Sequence, residues 1–120
     1  MKYKLLAALW VFAAPFALAS EGAKLPLDFA VTIKAGKIHE QCVELKRGAA
    51  VTYRFKASQP VPFNIHYHVG NGKDEQVEYP VKIDKIDAKD EVFRVPLDQH
   101  YCWMWSNKTD GVVSVNGHLR

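Results

Sequence analysis

Period-2 alternation of apolar and polar residues dominates the chain beyond its first twenty or so positions, and helical periodicity is nearly absent there. Side chains on a strand point alternately to opposite faces, so this pattern specifies half-buried strands. Residues 28–35 place Phe29, Val31 and Ile33 on one side before Gly36 interrupts. Residues 37–45 follow, and residues 49–57 put Val51, Tyr53 and Phe55 against Thr52, Arg54 and Lys56. Further strands are expected at 63–69, 76–83, 91–97, 100–105 and 112–119. Pro60 and Pro62 read as a loop, Pro80 as the mark of an edge strand, and the mixed charges of 84–90 as a solvated connection. About eight short strands with regular turn signals predict an all-β fold, an antiparallel β-sandwich.

The first residues tell a different story. MKYKLLAALWVFAAPFALAS has a basic start at Lys2 and Lys4, an apolar run from Leu5, and small residues at Ala17 and Ala19. This is the pattern of a secretory signal peptide over 1–19. Cleavage after Ala19 leaves 120 − 19 = 101 residues, 20–120, enough for one domain. The whole chain has 16 Lys+Arg against 13 Asp+Glu; without Lys2 and Lys4 the balance is 14 against 13. With no block of like charge, nucleic acid is not an expected partner. No later apolar run is long enough to span a bilayer. The expected location is therefore exported, periplasmic or extracellular, and the leader suits a bacterial periplasmic protein. Two cysteines in an oxidising compartment favour a single disulfide.

Both cysteine neighbourhoods carry a resemblance. Gln41-Cys42-Val43-Glu44-Leu45-Lys46-Arg47-Gly48 precedes the Val51–Phe55 alternation. Tyr101-Cys102-Trp103-Met104-Trp105-Ser106-Asn107 precedes a terminal strand with Val113 and Val115. Together they resemble the GOLD (Golgi dynamics) domain of the luminal part of eukaryotic cargo receptors. The resemblance implies a jelly-roll-like β-sandwich and a Cys42–Cys102 disulfide. Cargo receptors continue into a coiled coil and a membrane helix, which this sequence does not show before Arg120. The transport role is therefore not carried over.

The segment Phe63-Asn64-Ile65-His66-Tyr67-His68-Val69-Gly70 holds the main candidate site. Phe63, Ile65, Tyr67 and Val69 share one face, expected in the core. Asn64, His66 and His68 share the other, expected to face water. Two imidazoles about 6–7 Å apart can both reach one metal ion. His100, Cys102 and Met104 share a face of the late strand, and His100 or Met104 would supply a further ligand; His39 and His118 are further candidates. Two histidines on a wet strand also arise with no ligand at all.

A blue-copper centre needs two His, a Cys thiolate and usually an axial Met. The order here is wrong for it: no histidine separates Cys102 from Met104, and a bridged Cys102 is no thiolate. Copper or zinc at a surface site through His66, His68, His100 and Met104 is the expectation that remains. The second reading is a protein- or small-ligand-binding platform built from Tyr101, Trp103 and Trp105, against the plain alternative of a buried central strand. Asn107-Lys108-Thr109 matches the N-glycosylation pattern in an expected exposed turn. Asp84, Asp87 and Asp90 recur at threes, more simply as a solvated face than a calcium loop. No nucleophile elbow, phosphate loop or His-Glu-x-x-His pattern is present, so a non-enzymatic binding module is expected.

Overall fold

A computed structural model describes residues 24–120; the leader expected over 1–19 lies outside them. Six strands run in chain order: β1 (Leu27–Ile33), β2 (Ile38–Leu45), β3 (Ala50–Val69), β4 (Gln76–Arg94), β5 (Gln99–Ser106) and β6 (Val113–Leu119). A single 3-10 turn, Gly72–Asp74, joins β3 to β4. All pairings are antiparallel, in the order β1-β6-β3-β5-β2, with β4 added along β3. No helix among the described residues is long and apolar enough to cross a membrane.

The all-β, antiparallel class and the Cys42–Cys102 bridge are as expected. The strand count is not. Expected strands 49–57 and 63–69 are one strand, β3, which runs through Pro60 and Pro62. Expected strands 76–83 and 91–97 fuse with the charged segment 84–90 into β4. The prolines do not end β3 because the ladder to β4 slips beside them, between Lys56 and Val61 and again before Phe63. Such bulges tolerate a missing N–H. Segment 84–90 shows no apolar alternation because β4 lies largely in solvent, held to the sheet by β3 alone.

β3 is the hinge of the architecture. Its first half, Tyr53–Ala57, pairs with β6, and its second half, Phe63–His66, pairs with β5. The sheet therefore curls, and its concave side collects the odd-numbered residues of both halves. Phe55 meets Phe63 at 4.7 Å and Trp105 at 5.3 Å between ring centroids, and Phe29 of β1 reaches Trp105 at 5.1 Å. Tyr53 and Phe93 pack against Trp103. Offset and edge-on aromatic pairs of this kind add roughly 0.5–1.5 kcal/mol each to their burial. Close approach of β6 to β3 depends on Gly117, where a Cβ would stand 2.0 Å from Arg54 O.

Candidate functional site

The other side of the sheet carries the polar, titratable and sulfur-bearing groups. Directly opposed residues of an antiparallel pair project to the same side. His66 pairs with Cys102, and Cys102 pairs with Cys42, giving one row across β3, β5 and β2. Asn64, Met104 and Glu40 form the next row, and His100 with Glu44 lies on the opposite flank of the disulfide. The bridge thus sits in the middle of a face flanked by imidazoles.

His66 is the centre of this face, and it is not wet. It shares the outward side with His68, as its position in the strand dictates, but only 4% of its surface is exposed. Three neighbours cover it. Cys102 stands beside it on β5, and the His68 ring packs edge-on at 5.3 Å. Tyr79 of β4 packs at 5.9 Å. Tyr79 comes from the point where the β3–β4 register slips, between Ile65 and Tyr67, next to Pro80. Lys82 Nζ lies 4.9 Å above the Tyr79 ring.

Hydrogen bonding fixes the imidazole. His66 Nδ1 lies 2.7 Å from Asn64 Oδ1, a carbonyl oxygen that accepts the ring N–H. His66 Nε2 then turns to Glu40 Oε1 at 3.3 Å, the carboxylate reaching across β5. Burial holds the His66 pKa below its ordinary 6.5, against the opposing pull of Glu40 and with help from His68. When that ring is neutral, with its proton on Nδ1, it presents the Nε2 lone pair to a carboxylate. A metal-binding histidine is oriented in this way, by a partner on its other nitrogen.

Two sets of ligand atoms converge on the disulfide. Glu40, His66 and Cys102 lie within 4.8 Å of one another, and so do Cys42, His100 and Cys102. Of the sequence candidates, His66 and His100 each approach Cys102, in separate sets, with Met104 half-buried in the adjoining row. His68 does not join either set; its Nδ1 pairs with Glu75 Oε1 at 3.0 Å on the exposed side. His39 lies stacked against Trp105, and His118 pairs with Asp28 and Arg54 in the far half of the sheet. Asn64 lies on the outward face that the alternation predicts, but nothing in the sequence marks Glu40 as a neighbour of His66. The disulfide was the signal available: once Cys42 opposes Cys102, Glu40 must lie two residues along on the same face.

The aromatic platform is corrected. Tyr101, Trp103 and Trp105 are each 0% exposed and pack in the concave core, so they form no open platform at the surface. Tyr101 Oη donates to Leu97 O at 2.7 Å, while the Trp103 and Trp105 indole N–H groups are buried without a hydrogen-bond partner among the described residues. The turn is exposed at Lys108, Asp110 and Gly111 as expected, but Asn107 itself is only 1% exposed. Its Nδ2 donates to Ile33 O and Gly111 O, and its Oδ1 accepts from the Thr109 N–H and hydroxyl. Such an amide is a staple between β1 and the β5–β6 connection, not an accessible acceptor. Asp84, Asp87 and Asp90 lie along β4, and none of them joins a metal-ligating set among the described residues.

No family model matches the chain, and no curated protein matches it. Among solved structures, 17 chains match. One, described as a solution NMR structure of a de novo designed double-stranded beta-helix, is 16% identical, with a TM-score of 0.45. The match covers 78% of this chain and 99% of that one. A likeness of that degree carries no argument about function.

Proposed function

We propose that the protein is an exported, non-enzymatic binding module that holds a copper or zinc ion at His66 and Glu40. The observation that carries this reading is the 3.3 Å approach of His66 Nε2 to Glu40 Oε1, with the ring proton directed to Asn64. Two electron-rich atoms so close repel each other unless a cation joins them. Burial opposes the extra proton that would otherwise do so. Imidazole and carboxylate suit zinc and copper(II). Met104, half-buried in the adjoining row, is a further candidate ligand, and water would complete the shell. The GOLD-like sandwich remains the frame of this proposal, supported by the Cys42–Cys102 bridge and by Asn107 closing β5.

The test is metal titration of untagged, unreduced protein. One equivalent of copper or zinc should bind at micromolar concentration, and His66→Ala should abolish it. Glu40→Gln provides a companion variant, because Glu40 is exposed and the fold does not depend on it. Absence of uptake, or uptake indifferent to both substitutions, overturns the reading.

A further inference from the structure

We propose that reduction of the Cys42–Cys102 disulfide unmasks a second, sulfur-rich site for a thiophilic divalent cation, built from Cys42, Cys102 and His100 and completed by His66. The inference extends the cation-site reading of His66 but has its own three-ligand core. Cys42, His100 and Cys102 already lie within 4.8 Å of one another, and Cys102 is shared with the Glu40 and His66 set. Those three need no large movement to converge, because they project from the same side of adjacent strands β2 and β5, and His66 faces Cys102 from β3.

The backbone should survive loss of the bridge. β2 and β5 are paired residue by residue from Ile38↔Ser106 to Leu45↔Gln99, and Val43 and Leu45 enter the core from the opposite side. The disulfide lies outside that core. The Cα atoms of Cys42 and Cys102 are 4.0 Å apart, and the ladder keeps them opposed after the S–S bond opens. Zinc–sulfur bonds of about 2.3 Å in a tetrahedral site hold two sulfurs about 3.8 Å apart, within reach of two directly opposed cysteines. Two thiolates and two imidazoles make a Cys2His2 set, which favours zinc and excludes hard cations such as magnesium and calcium.

The chemistry balances with an external thiol donor as reductant. Its thiolate attacks Sγ of Cys42, the more exposed of the two cysteines, and Cys102 leaves as a thiolate. A second donor thiol resolves the mixed disulfide, leaving the donor oxidised to its own disulfide and both cysteines reduced. The cation then replaces the thiol protons, releasing two protons to solvent in all. Oxidation reverses the sequence and ejects the ion. The bridge is thus the closed state of a redox-gated site.

The experiment compares purified protein before and after reduction by a phosphine, under anaerobic conditions, titrated with zinc(II) and with cobalt(II) as a spectroscopic substitute. Reduced protein should bind one equivalent with thiolate-to-cobalt charge-transfer absorption, absent before reduction. Its zinc affinity should exceed that of the unreduced form by at least about a hundredfold, more than an outer-shell partner contributes. His100→Ala should weaken the reduced site and leave the unreduced His66–Glu40 site unchanged. If reduction alone unfolds the chain, zinc should restore its strand circular dichroism, as metal binding then drives folding. Reduced, folded protein without charge-transfer absorption overturns the proposal, and so does unfolded protein that zinc does not rescue. Failure of the unreduced protein to bind metal would remove the His66–Glu40 reading alone.

Discussion

His66 and Glu40 meet across an intervening strand. One projects from β3 and the other from β2, yet Nε2 and Oε1 lie 3.3 Å apart. Neither would be noticed from the other's sequence neighbourhood. Their encounter depends on β5 lying between them with small or flexible side chains, Cys102 and Met104, beneath the reaching carboxylate.

Glu40→Gln is expected to act on His66 in two ways. Glu40 raises the His66 pKa, so its neutralisation should lower that pKa further, read by NMR titration of the ring. Copper or zinc uptake should fall at least about tenfold. An unmoved His66 titration would show that the carboxylate does not act on the ring.

Acid should destabilise the protein in the range at and below pH 6.5. His66 and His39 both have folded-state pKa values below 6.5, each chiefly through burial. In that window the unfolded chain binds more protons than the folded one, so stability falls as the pH falls. Around His66 the groups concerned are Glu40 from β2, His68 from β3 and Tyr79 from β4. Urea midpoints measured across this range should decline, and His66→Gln should flatten the decline. An equal slope in the variant would place the effect elsewhere.

Gly117→Ala should be strongly destabilising. The added Cβ would meet Arg54 O at 2.0 Å and Phe55 Cα at 2.8 Å, both backbone atoms that no rotamer change can move. Overpacking of this kind costs about 1–3 kcal/mol, occasionally more. The urea midpoint should fall with an unchanged m-value.

Asn107→Ala should cost about 1–3 kcal/mol, because Ile33 O, Gly111 O and the Thr109 N–H lose their shared partner. Expressed through a eukaryotic secretory pathway, the folded protein should carry no glycan at Asn107, checked by intact mass. A glycan there together with native stability would contradict the buried staple.

The sequence reveals the inward residues better than the element ends. Phe63, Ile65 and Tyr67 face the core because alternation with an apolar side is a local signal. Pro60 and Pro62 mislead because a bulge absorbs them, and bulges are set by the partner strand. Residues 84–90 mislead for the opposite reason: a strand paired on one edge and wet on both faces has no alternation to read. Tyr101, Trp103 and Trp105 are read as a face, and only the curl of β3 decides that this face is closed. Likewise His66 and His68 are placed on one side by local geometry. Burial of His66 comes from Tyr79 and Cys102, which are remote in sequence.

β4 has a further consequence. Among the described residues it pairs with β3 alone, leaving nineteen residues of backbone along its other margin. An open margin of that length is a template for stacking copies of the chain into fibrils. Lys82, Lys85 and Lys89, the proline at position 80 and the register slips of the ladder interrupt it at short intervals. The same segment that hides a polar strand from sequence inspection thus works against strand addition by a second copy.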